Sequence, residues 1–100
     1  MIIERRVFRA KPGQAGSVVA IGKEIQNIFE SNGWPEGRML TDYLSGDTDR
    51  VVWEFEVENL EALEALQARL GQMPPEVGGA IERMMGLIDG AYVEHWKIES

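Results

Sequence analysis

Residues 51–70, VVWEFEVENLEALEALQARL, constrain the fold more tightly than any other stretch, because the hydrophobic period changes inside them. Val51, Trp53, Phe55 and Val57 alternate with Val52, Glu54 and Glu56. Successive strand side chains point to opposite faces, so residues 51–57 read as a strand with one apolar face and one largely acidic face. Leu60, Leu63, Leu66 and Leu70 then recur at helical spacing and stop at Gly71. Asn59 stands at the junction, where its short side chain can cap the first turn. Glu61 lies within that turn, where the helix dipole favours an anion. A strand running directly into a capped helix calls for a mixed α+β layer arrangement.

The remaining elements fit around this unit. Ile2–Ala10 is rich in β-branched and aromatic residues, and Pro12-Gly13 ends it. From Gln14 the period becomes helical: Val18, Ile21, Ile25, Ile28 and Phe29 share one face until Asn32-Gly33 and Trp34-Pro35 stop the helix. Residues 38–44 predict a second strand, joined to the third by the turn-rich SGDTD. After Met73-Pro74-Pro75, residues 76–85 read as a short helix built on Val77, Ala80, Ile81 and Met84, and residues 87–98 as a last strand, bent or bulged at Gly90. The order is β-α-β-β-α-β with a helical insertion before the final strand. That is the split βαβ, ferredoxin-like arrangement: a four-stranded antiparallel sheet with helices on one face. The 100 residues are expected to form one domain, 1–100.

Charge excludes some partners. The net charge is −7, and all of the excess sits in residues 51–100, which hold three Lys/Arg against ten Asp/Glu. Phosphate-backbone binding depends on Lys and Arg neutralising phosphates, so no nucleic-acid partner is expected. Arg5, Arg6, Arg9 and Lys11 form the one basic cluster and read as a solvated strand end. The chain has no cysteine, hence no disulfide or thiol chemistry. No apolar run approaches a membrane span and the first residues lack a signal-peptide pattern, so a cytoplasmic protein with no membrane partner is expected.

A sheet with helices on one face should be polar on the other if the chain works alone. Three of the four strands break that rule. Ile2 and Phe8 oppose Ile3 and Val7; Met39 and Tyr43 oppose Leu40 and Leu44; Ile88, Tyr92, Trp96 and Ile98 oppose Leu87, Ala91, Val93 and His95. A monomer would leave a sizeable apolar patch in water. Covering it with a second copy, sheet to sheet, is the simplest solution, and a homodimer is expected.

The opening ERRVFRAKPGQ resembles the strand and "KPG" lead into the first helix seen in NIPSNAP-like members of the dimeric α+β barrel superfamily. SGDTDRVVWEFEVENLEALEAL is similar to the second hairpin and following helix of that superfamily. The resemblance implies two ferredoxin-like subunits pairing their open sheet faces into a barrel, with a pocket between each sheet and its own helices or the partner. It also implies kinship with antibiotic-biosynthesis-type and haem-degrading monooxygenases. Haem-degrading members use an Asn, a Trp and a helix-borne His. Here Trp53 lies on a suitable strand, but the first strand has no Asn and neither main helix has a His. No cofactor is therefore expected.

Seven residues are candidates for chemistry or binding. His95 is the single histidine, able to exchange a proton near neutral pH, with Glu54, Glu56 or Tyr43 as conceivable partners from neighbouring strands. His95, Tyr43 and Glu54 are the catalytic candidates. Arg5, Trp53, Glu56 and Trp96 are the candidates for holding a small apolar ligand. Alternate strand residues lie about 7 Å apart, too far for Glu54, Glu56 and His95 to chelate an ion unaided, so no metal is expected. Glu54 and Glu56, if covered, would need cations, and Arg5 and Arg38 are available should they share that face. Such pairs would serve to fix dimer register. Trp34, Tyr43, Trp53, Tyr92 and Trp96 can line a pocket or fill a core and interface. Two readings stay open: a small cofactor-free, monooxygenase-like enzyme acting on an apolar or aromatic molecule, and a non-catalytic dimeric module for a ligand or protein partner.

Overall fold

The computed structural model describes residues 1–99. Four strands, β1 (Ile2–Ala10), β2 (Gly37–Thr41), β3 (Arg50–Val57) and β4 (Ile88–Lys97), form one antiparallel sheet in the order β2-β3-β1-β4. Helices α1 (Ala15–Ser31), α2 (Leu60–Gln67) and α3 (Pro75–Met85) cover one face, and the other face is open. The β-α-β-β-α-β order with an inserted helix is the ferredoxin-like arrangement that the hydrophobic periods predict. No helix among the described residues is long and apolar enough to cross a membrane.

The register decides which side chains meet. Phe8 pairs with Val51, Arg6 with Trp53 and Glu4 with Phe55, so these residues share the helix side. Arg5 pairs with Glu54 and Val7 with Val52 on the open side. On the helix side, Val18, Ile21, Ile25 and Phe29 of α1 bury against Phe8, Val51 and Phe55. Phe29 and Phe55 bracket Trp34, with ring centroids 4.9 and 5.5 Å apart, and such pairs contribute about 1 kcal/mol each beyond burial. α1 ends where Gly33 adopts φ +87°, a conformation that costs glycine nothing, while Asn32 Nδ2 donates to the Ile28 carbonyl. α2 begins as expected, with Asn59 accepting the Ala62 N–H at 2.8 Å.

Three expectations are corrected. The second strand ends at Thr41 rather than residue 44. The Asp42 carboxylate folds onto the Ser45 and Asp47 N–H groups and the Arg50 guanidinium, which turns the chain out of the sheet. Tyr43 and Leu44, expected on opposite faces of a strand, therefore both project from the loop, each 88% exposed. The second main helix gives way after Gln67 to a single 3-10 turn, Leu70–Gln72. Finally, Ile88 does not share a face with Tyr92 and Trp96. Ala10 pairs with Ile88 while the adjacent Arg9 pairs with Gly90, so Asp89 is an extra residue and the bulge turns Ile88 into the core.

Candidate functional site

The open face carries a charge cluster at its centre. Glu54 is 3% exposed although its carboxylate lies on the uncovered side. Arg5 Nε donates to Oε1 at 2.8 Å, and Arg38 donates to Oε2 through Nε at 2.9 Å and Nη2 at 2.6 Å. The two side chains lie over the carboxylate from the neighbouring strands and shield it. Burial pushes the Glu54 carboxyl upward, but the Arg38 and Arg5 hydrogen bonds outweigh it and hold the group below its ordinary value. Both carboxylate oxygens are thus in use. Glu94 lies 4.0 Å from Arg5 on the β4 side, and Glu56, two residues from Glu54, is exposed.

Beside this cluster, meeting it at Arg5 and Glu94, lies a concavity of about 480 Å³ walled by Leu40, Tyr43, Leu44, Tyr92 and Trp96, while Glu54 and Arg38 line a separate hollow with Glu56. Leu40, Tyr92 and Trp96 are all substantially exposed. The loop contributing Tyr43 and Leu44 is held by Asp42, whose carboxyl is kept below its ordinary value, chiefly by the Ser45 N–H, against the cost of burial and with help from Arg50.

A second polar cluster lies on the other side of the sheet. Glu4 points toward the helices between Ile2 and Phe8 and is 5% exposed. Its Oε1 lies 3.1 Å from His95 Nε2 and accepts from Gln67 Nε2 at 3.3 Å. His95 faces Glu4 directly across the β1–β4 ladder.

These placements sort the candidates. Glu54, Glu56, Arg5 and Trp96 gather on the open face, and Tyr43 stands at its rim. His95 does not join them. It points to the helix side, and β1 separates its strand from β3, so a partnership with Glu54, Glu56 or Tyr43, or a metal held by His95 and the two glutamates, is ruled out by geometry. Trp53 also faces the helices, where its Nε1 donates to Gln26 Oε1 at 2.8 Å. The aromatic set divides accordingly: Trp34 and Trp53 belong to the core layer, Tyr43, Tyr92 and Trp96 to the open face. Glu4 and Gln67 were missed in the sequence. The signal existed for Glu4, since residues 2, 4 and 8 share one strand face, and the first and last strands are neighbours in this topology.

No family model matches the sequence, and no curated protein matches it. Among solved structures, a NIPSNAP domain protein from Burkholderia xenovorans superposes with a TM-score of 0.80 at 17% identity, covering 100% of this chain and 96% of that one. A NIPSNAP family protein of unknown function from Agrobacterium tumefaciens gives 0.76 at 20% identity, covering 98% and 87%. An antibiotic biosynthesis monooxygenase gives 0.69 at 13% identity over the full length of both chains. The chain therefore shares the ferredoxin-like fold of NIPSNAP and antibiotic-biosynthesis-monooxygenase proteins.

Proposed function

We propose that two copies of this chain pair through their open sheet faces, and that the covered concavity receives a small apolar or aromatic molecule, as in a cofactor-free, monooxygenase-like enzyme. One observation carries the reading. Leu40, Tyr43, Leu44, Tyr92 and Trp96 stand exposed around a face whose central carboxylate is already neutralised by Arg5 and Arg38. The arginine pairing lowers the cost of covering Glu54, and an apolar patch of this extent marks an interaction surface. The non-catalytic alternative, a dimeric binding module, draws support from Glu54: with arginines on both oxygens and its carboxyl held below the ordinary value, it is a weak base for a substrate proton.

Light scattering at micromolar concentration tests the assembly. The wild type is expected at twice the chain mass, and Leu44→Asp together with Trp96→Asp at the chain mass with an unchanged far-ultraviolet spectrum. A wild-type monomer overturns the reading. Oxygen uptake by the dimer with 1-naphthol then separates the two functions: consumption lost in the double variant favours the enzyme, whereas saturable binding without consumption favours the module.

A further inference from the structure

The open face does not involve the pair formed by the buried Glu4 and the part-exposed His95, which the register places on the opposite side of the sheet. A carboxylate set in an apolar layer is costly unless it is partnered. Glu54 meets that need with two arginines, but Glu4 has no Arg or Lys in ion-pair contact among the described residues. Its partners are His95 Nε2 and Gln67 Nε2, both on Oε1. A carboxylate accepts, so the imidazole donates from Nε2–H and its lone pair is left on Nδ1. Nδ1 has no hydrogen-bond partner among the described residues, and the His95 side chain is 45% exposed. This is the logic of an oriented base: a buried carboxylate fixes the tautomer and stabilises the imidazolium that forms when the far nitrogen takes a proton.

The surroundings define what such a base could reach. Val93 and Ala91 continue the same face of β4 and are exposed, giving an apolar shelf beside the ring. Arg6 lies on the same face of β1, two residues from Glu4, and has no ion-pair partner among the described residues. Glu4 and Arg6 from β1 and Lys97 from β4 share this face, and α2 reaches it with Gln67, one turn beyond Glu64. Arg6 pairs with Val93 and is therefore the diagonal neighbour of His95 across the β1–β4 ladder, about 7–8 Å away, so its long cationic side chain can meet negative charge developing on a substrate held at the ring.

We propose that Glu4, His95 and Arg6 form a proton-transfer site for small apolar carbon acids, molecules whose C–H bond is activated by a neighbouring electron-withdrawing group. His95 Nδ1 takes the proton, the C–H electron pair moves onto the activating group as an anion, and Arg6 stabilises that anion. Glu4 is the positioning residue, and reprotonation from the imidazolium regenerates the base. No oxidant or reductant is consumed.

The full-length protein with 5-nitrobenzisoxazole tests the proposal. In that probe the ring C–H proton goes to Nδ1, its electron pair completes a nitrile, and the N–O bond breaks to release a coloured phenolate. The wild type is expected to exceed an equal concentration of free imidazole by about tenfold or more. His95→Gln should lower the rate by about a hundredfold and Arg6→Gln by about tenfold. Glu4→Leu, which suits the apolar layer and keeps the fold, should lower it by about tenfold. It should also change the ring nitrogen resonances of the single histidine from one Nε2–H tautomer to a mixture. A wild-type rate no greater than free imidazole, a folded His95→Gln variant as fast as the wild type, or a Glu4→Leu variant with unchanged tautomer would each overturn the proposal. Because the paired open faces lie across the sheet, the oligomeric state of the same samples reports on the dimer separately.

Discussion

Replacing Glu54 with Gln keeps the shape of the central side chain and removes only its charge. In the wild type three guanidinium N–H groups donate to the carboxylate, at 2.8, 2.9 and 2.6 Å. Hydrogen bonds to a charged group contribute about 1.5–3 kcal/mol each where water cannot replace them. Water can partly replace these, since the Arg5 and Arg38 side chains are 34% and 67% exposed. Discounting each pair toward the value of exposed ion pairs leaves a loss of about 2 kcal/mol for Glu54→Gln at neutral pH. The amide can still accept from one guanidinium, but its NH2 faces the other. Urea unfolding followed by tryptophan fluorescence measures this, at one fixed protein concentration because association raises apparent stability.

The pH dependence sharpens the same test. The Glu54 carboxyl sits below its ordinary value of 4.5 in the folded chain, so the unfolded chain binds the proton more readily. The carboxylate's contribution is therefore fully present above 4.5 and is lost as pH falls through the lower folded value. In that acid window the wild type and Glu54→Gln should converge. A difference below about 0.5 kcal/mol at neutral pH, or one that persists undiminished in acid, would refute the reasoning, because surface-pair energetics would then describe the cluster.

Two further substitutions test the frame around the site. A Cβ added at Gly37 would lie 2.6 Å from Gln26 Oε1 and 3.1 Å from the Glu54 carbonyl oxygen. Gln26 is itself tied to Trp53 and the Pro35 carbonyl, so Gly37→Ala should cost about 1–3 kcal/mol in the same urea assay. Asn59→Ala removes the cap on α2 and should cost about 1 kcal/mol, whereas Asn59→Gly should cost only a few tenths, read as shifts in the thermal midpoint.

The parts of the fold legible in the sequence are those fixed by local periodicity. The alternation at 51–57 gives β3 and its two faces, Asn59 gives the start of α2, and Arg5 and Arg38 fall on the Glu54 face as side-chain parity requires. The misjudged parts are those where a side chain or an extra residue overrides the period. Asp42 captures two backbone N–H groups and ends β2 early, and Asp89 shifts the phase of β4. The Glu4–His95 contact depends on pairing between strands about ninety residues apart, a feature that no local window contains. Parity and topology together predict it, once Glu4 is counted with Ile2 and Phe8 instead of being set aside as a polar residue.

The bulge at Asp89 has a consequence for how much the length of this chain can vary. Ile88 and Gly90 lie on opposite sides of the sheet only because Asp89 stands out of register between them. Excising Asp89 would make Ile88 and Gly90 consecutive, and ordinary alternation would then place them on those same opposite sides. The first part of β4 can thus lose one residue while Ile88 stays in the core and Tyr92, His95 and Trp96 keep their directions. A deletion of the same size between Ala91 and Glu94 would exchange the two faces, setting Trp96 against the helices and His95 on the open side. The bulge is thus where the strand can absorb a change of length without reversing Tyr92, His95 or Trp96.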